Sequence, residues 1–212
     1  MSARHALGLA VIDLYRNSWR LVPVNAALGA VLFFSVLAAV AVHALLVLVV
    51  LAGPLAAALA HCSVTLVRTG NLALADAWEG LRLHWRRGLA LGAAGLVLGL
   101  LGAVAVHFYT RSSAGWPLAF VTLYLLVLLG IYAAVLMTVA VAEPGLPLRA
   151  AARSAGTLAA QRPGATLLIG LALLLVNLVG VAAAVMPFLT ITVAYSFIAV
   201  AHFVLPPEAR EV

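Results

Sequence analysis

From Leu21 to Val67 the chain contains no Asp, Glu, Lys or Arg, and further uncharged apolar blocks run from Gly88 to Thr110, Ser112 to Ala142 and Pro163 to Leu205. Segments of that kind fit one solvent. A helix crosses about 30 Å of hydrocarbon with roughly 20 residues at about 1.5 Å each. With 66% hydrophobic and 8% charged residues in 212, the chain lacks the charge to cover a water-soluble surface of this size. The blocks are continuous in Leu, Ala, Val and Gly, whereas a transmembrane β-barrel needs short alternating segments. The sequence therefore predicts an all-α fold, a polytopic transmembrane helical bundle forming a single domain over 1–212.

Dividing the blocks by length gives spans near 21–42, 45–68, 89–108, 117–142, 165–186 and 188–205. His43 and Pro187 punctuate the two blocks that have no charged turn. Gly53-Pro54 is a competing break in the first, and a re-entrant segment in either block leaves four or five crossings open. Arginine placement favours six. All 12 basic residues are Arg: Arg4, Arg16 and Arg20 precede span one, Arg68, Arg82, Arg86 and Arg87 follow span two, Arg149, Arg153 and Arg162 follow span four, and Arg210 follows span six. Six crossings place all of these on one side and leave only Arg111 opposite. The positive-inside rule makes that side cytoplasmic, with both termini. Short basic segments between apolar blocks are orientation signals and do not form a nucleic-acid surface. The run beginning at Leu21 exceeds a signal-peptide core, so the first span is expected to be retained.

The cytoplasmic segments are amphipathic. Leu74, Trp78, Leu81 and Trp85 share one helical face, with Glu79, Arg82 and Arg86 on another, as expected of a helix lying among headgroups. Leu148, Ala151, Ala152, Ala155 and Leu158 oppose Arg149 and Arg153. Leu7, Val11 and Leu14 oppose Asp13, Arg16 and Arg20. Each such segment precedes a pair of spans, and the junctions "YRNSWRLVPVNAALGAVL", "HWRRGLALGAAGLVLGLL" and "AQRPGATLLIGLALLLVN" are alike. Three parallel modules, 5–68, 72–142 and 147–205, each an interfacial helix plus a hairpin, are one reading; any chain of hairpins with basic junctions is the other.

The stretch "GLALGAAGLVLGLLG" places Gly88, Gly92, Gly95, Gly99 and Gly102 at spacings of four, three, four and three, so they form one stripe along span three. In lipid, helices associate by close packing, and a stripe without side chains admits another backbone. Span three is expected to be the most central helix, with the five glycines as packing residues. A solute passage is the rival reading, but no Asp, Glu, Lys or Arg lies inside the apolar blocks to line one.

Chemistry is sparse. His43 and His107 are expected near the outer ends of spans two and three, His61 and His202 towards the cytoplasm, and none forms HxxxH or HExxH. The single Cys62 excludes an internal disulfide or a CxxC pair. Asp13, Asp76, Glu79, Glu143, Glu208 and Glu211 all fall outside the spans, and no GxSxG or paired-carboxylate arrangement occurs. The expectation is a non-enzyme without cofactor or metal. Asn177, Tyr124, Tyr132, Thr138, Thr192, Tyr195 and Ser196 supply the polarity at membrane depth. Asn177, costliest to leave unpaired, is expected to bond across helices or to a carbonyl.

With Trp19-Arg20 followed by Asn25, "GPLAAAL" at 53–59 and "DAWEGLRLHWRRG" at 76–88, the chain resembles the YesL family of bacterial membrane proteins, a domain of unknown function. It departs from that family in the long apolar stretch between Asn25 and Gly53 and in lacking a Thr shortly before Gly-Pro. The resemblance implies a bacterial plasma-membrane protein with an accessory role near carbohydrate uptake. Membrane lipids and a membrane-transport partner are the expected contacts, through Trp78, Arg82, Trp85, Arg86, Arg87, Arg149 and Arg153. A small-solute transporter or channel is the alternative.

Overall fold

The computed structural model describes residues 2–182 and 191–205. Among them every regular element is helical: α1 (Ala3–Ala41), a 3-10 segment (His43–Leu51), α2 (Ala52–Thr69), α3 (Leu74–Tyr109), a 3-10 turn (Ser113–Gly115), α4 (Trp116–Ala142), α5 (Leu148–Gln161), α6 (Pro163–Ala182) and α7 (Val193–Val204). Five units are long and apolar enough to cross a membrane: Ala3–Ala41, His43–Thr69, Leu74–Tyr109, Ser113–Ala142 and Pro163–Ala182. The chain is a multi-pass helical membrane protein. The sixth expected span is represented by α7, whose 12 residues extend only about 18 Å at the helical rise; Pro187, Glu208, Arg210 and Glu211 lie outside the described residues.

Local chemistry sets the element ends. Both breaks expected in the first long block mark something: helix geometry fails at Val42, just before His43, while Gly53-Pro54 lies in the first turn of α2, where the 3-10 segment passes into the α-helix. Gly70, at φ 73°, ends α2 in the left-handed conformation, its N–H bonding the Leu66 carbonyl at 2.9 Å. The Asp76 carboxylate accepts the Ala73 N–H at 2.7 Å and starts α3. Glu143, followed by Pro144, closes α4. The amphipathic segments at 3–20 and 74–87 continue without interruption into the spans that follow. The third does not, because Pro163 breaks the chain at Arg162 between α5 and α6.

α2 is the central helix, in contact with α1, α3, α4 and α7, with Ala57, Ala58, Leu59, Ala60, Cys62 and Ser63 buried along it. This corrects the expectation for span three. The most apolar 18-residue window of α3 is only 6% buried, and Val97, Leu101, Val104 and Phe108 face outward. Lipid tails solvate such side chains as well as a neighbouring helix does, so apolarity does not draw α3 inward. Similar outward residues on α4 (Phe120, Leu125) and α6 (Leu171, Leu175, Val179) complete an apolar exterior.

The glycines divide. A Cβ on Gly53 would fall 2.1 Å from the Gly88 carbonyl oxygen, one on Gly88 2.6 Å from the Pro54 Cα, and one on Gly92 2.8 Å from the Val50 carbonyl oxygen. There α2 and α3 touch backbone to backbone. Gly102 meets the Leu126 side chain of α4, where a Cβ would lie 2.6 Å away. Gly95 and Gly99, also expected to pack, have nothing within 4 Å of a Cβ; α2 begins at Ala52, beside Gly92, and Gly95 and Gly99 lie beyond that start, where they line an apolar cavity of about 650 Å³ shared with α1, α2, α4 and α7.

Polar groups at depth pair locally. Asn177 donates to the Leu173 carbonyl (2.8 Å) and to Ser196 Oγ (2.7 Å) and accepts from Thr192 Oγ1 (3.1 Å), joining α6 to α7. Asn177→Leu should lower stability by about 1 kcal/mol, the scale of interhelical bonds in membranes, in reversible unfolding by SDS titration. Neutral behaviour would show that the network adds nothing to packing. Tyr132 of α4 donates to the Ala152 carbonyl of α5 at 2.9 Å.

Candidate functional site: the arginine end of the bundle

Arginines tie the helix ends together at one end of the bundle. Arg20 of α1 donates to the Leu72 carbonyl in the α2–α3 loop. Arg68, in the last turn of α2, donates to the Ala142 carbonyl at 3.1 Å. Arg87 of α3 reaches the same place, donating to the carbonyls of Ala140 (2.5 Å), Pro144 (2.5 Å) and Leu146 (2.7 Å). A helix C-terminus presents unpaired carbonyls and partial negative charge, so a guanidinium there satisfies both. α7 ends at the same face, its buried His202 bonding Asp13 of α1 through Nε2 at 2.7 Å. Arg111 lies beyond the far end of α3, bonded to His107 at 3.0 Å.

The expected contact residues fall into two groups. Trp78, Arg82, Trp85 and Arg86 are exposed on the first half of α3, Trp78 at 63%, and Arg86 lies over the Trp85 ring with its Cζ 5.2 Å from the centroid. The opposite face of this segment, Gly80, His84 and Gly88, is buried and packs on α2. Arg149 and Arg153 are exposed on α5, whose Ala151 and Ala155 are buried with Leu148, Ala152 and Leu158 packed beside them. Arg87 belongs with neither. Its guanidinium bonds the carbonyls at the end of α4, which makes Arg87 a structural tie between α3 and α4.

On α1 the inward face also differs from expectation. Ala3, Ala6, Ala10 and Asn17 are buried, Leu7 and Leu14 are partly so, and Val11 is exposed. Small side chains let α1 approach α7 closely. Three partnerships escaped the sequence. His202 is oriented by Asp13, 189 residues away; His84 packs against His61 with ring centroids 5.4 Å apart; and Gly80 makes room for His61, since a Cβ there would lie 2.7 Å from the His61 Cβ. Only the last carried a signal, the four-residue spacing of Gly80, His84 and Gly88. Among the described residues no group of three or more His, Cys, Asp or Glu is placed to hold a metal ion.

Beside Asp13, a polar cleft of about 440 Å³ opens between α1 and the end of α2. Two apolar cavities lie at membrane depth: the one lined by Gly95 and Gly99, and a second of about 430 Å³ between α4, α6 and α7, with Asn177 and Ser196 on its wall. No protein-family model, curated protein or solved structure matches the chain.

Proposed function

We propose that the chain is an accessory or scaffold protein of a bacterial plasma membrane, without enzymatic activity or cofactor. It serves carbohydrate uptake and holds its partner and anionic headgroups through the exposed residues of α3 and α5. The observation that carries this reading is the row Trp78, Arg82, Trp85 and Arg86. It is turned away from the bundle, while the opposite face of the same helix is fully engaged with α2. Tryptophan and arginine side by side on one outward face suit contact with headgroups, and the arginine end is cytoplasmic by the positive-inside rule. The resemblance to the YesL family, on Trp19-Arg20, Asn25, "GPLAAAL" and "DAWEGLRLHWRRG", supports the association with uptake.

Affinity purification from native membranes tests it. Carbohydrate-uptake transporter components should co-purify with the unaltered protein and fall at least about fivefold with Arg82→Gln/Arg86→Gln or Arg149→Gln/Arg153→Gln. If no transport component is enriched over an unrelated membrane protein, the reading fails. The alternative, passage of a small uncharged solute, draws support from the apolar cavity lined by Gly95 and Gly99. It requires that Gly95→Leu/Gly99→Leu abolish flux into proteoliposomes while the bundle stays folded.

A further inference from the structure

The cleft at the arginine end is lined by Asp13, Arg16, Asn17, Trp19 and Arg20 of α1 and by Leu66 to Asn71 around the end of α2, Arg68 among them. Three arginines and one carboxylate are among its lining residues. That carboxylate, Asp13, is engaged by the buried His202, so positive charge remains uncompensated in the lining. Arg20 and Arg68 each give one N–H to a carbonyl, of Leu72 and of Ala142; a guanidinium carries several donors in a planar fork, and both keep most of theirs. At the end of α2 the Leu66 carbonyl is taken by the Gly70 N–H and the Thr65 carbonyl by Thr69 Oγ1, which leaves fewer bare carbonyls to oppose an incoming anion. Arg16 is exposed and has no hydrogen-bond partner among the described residues. Polar lining groups are held in place: Asn17, 7% exposed, donates to the Asp13 carbonyl at 3.2 Å, and Thr69 Oγ1 donates to the Thr65 carbonyl at 2.9 Å. Gly70 leaves the mouth clear of any side chain. At the rim Trp19 is 63% exposed, with the Arg20 Cζ 4.6 Å from its ring centroid.

We propose that this cleft binds a phosphate group, borne by an anionic lipid headgroup or by a free phosphate anion. Arginine forks match phosphate oxygens through paired charge-assisted bonds. Arg16 closes on the group from α1, while Arg20 and Arg68 meet it with donors their carbonyls leave unused. The site does not depend on the function proposed above, since it uses α1 and α2 and none of the outward residues of α3 or α5.

The test is equilibrium binding to the purified full chain in a neutral detergent, with inorganic phosphate, dihexanoyl phosphatidic acid and dihexanoyl phosphatidylcholine as probes. Phosphatidic acid should bind at least tenfold more tightly than phosphatidylcholine. Arg16→Gln should weaken it about tenfold, equivalent to about 1.4 kcal/mol, with the thermal midpoint unchanged because Arg16 ties no helix end. Arg111→Gln, which removes the same charge at the opposite end, should leave binding intact. Phosphatidic acid tighter than inorganic phosphate assigns the site to a lipid; equal or tighter binding of the free anion assigns it to phosphate itself. The proposal is overturned if neither phosphate probe binds, if Arg16→Gln binds as tightly as the unaltered chain, or if Arg111→Gln weakens binding equally.

Discussion

Gly88→Leu is expected to abolish accumulation of folded protein, and even Gly88→Ala should lower the thermal midpoint in detergent more than any other single methyl added to α3. The Cβ would lie 2.6 Å from the Pro54 Cα and 2.7 Å from the Gly53 carbonyl oxygen. Both are backbone atoms of the central helix and cannot rotate away. Overpacking of this kind costs about 1–3 kcal/mol where side chains yield, so a rigid contact should reach or exceed the upper value. Gly53→Ala meets the reciprocal obstacle and should behave alike. Gly95→Ala and Gly99→Ala add the same methyl on the same helix over open space; they should be neutral or stabilising, by up to about 1 kcal/mol each, the helix-propensity difference measured in water. Thermal unfolding of the four alanine variants decides the matter. A uniform response would mean that α2 and α3 do not meet where the structure places them.

Arg87→Gln should destabilise the bundle by about 2–4 kcal/mol. Arg87 donates to the carbonyls of Ala140, Pro144 and Leu146, and each charge-assisted bond contributes about 1.5–3 kcal/mol where it is shielded from water, less where the group is half-exposed. Glutamine retains polarity but has neither the reach nor the charge to hold the end of α4. Arg86→Gln, one residue away and pointing outward, should change stability by less than about 0.5 kcal/mol. Urea or SDS titration of the pair reports the difference. Equal midpoints would return Arg87 to the solvated surface, where the sequence had placed it with Arg86.

What the sequence discloses depends on which force writes it. The spans are legible because crossing hydrocarbon requires uninterrupted apolar length, and the arginine end because charge is excluded from that length. The inward face of α5 is legible too, since between Arg149 and Arg153 small residues alternate with charge as they do in water. Inside the membrane this contrast vanishes. Val11 reads as an inward residue yet faces out, whereas Ala3, Ala6 and Ala10 are buried; size, not hydrophobicity, selects the inward face. The same inversion explains why five regularly spaced glycines suggest a central α3 when only Gly88 and Gly92 meet another backbone. Of the tight α2–α3 contact, half is written in α3 and half in the Gly53-Pro54 step, which reads from sequence as punctuation. The candidate site is less legible still. Trp78, Arg82, Trp85 and Arg86 declare themselves through helical spacing, but Asp13 with His202 and the grouping of Arg16, Arg20 and Arg68 follow from how distant helix ends converge.

That convergence is the centre of the account, and sidedness tests it most directly. In a Cys62→Ala background, single variants Arg82→Cys, Arg149→Cys and Arg111→Cys can be labelled in intact cells and in inverted vesicles with a membrane-impermeant maleimide. Positions 82 and 149 should react only in inverted vesicles and position 111 only in intact cells. Labelling of 111 from the same side as 82, or of 82 and 149 from opposite sides, would contradict the account.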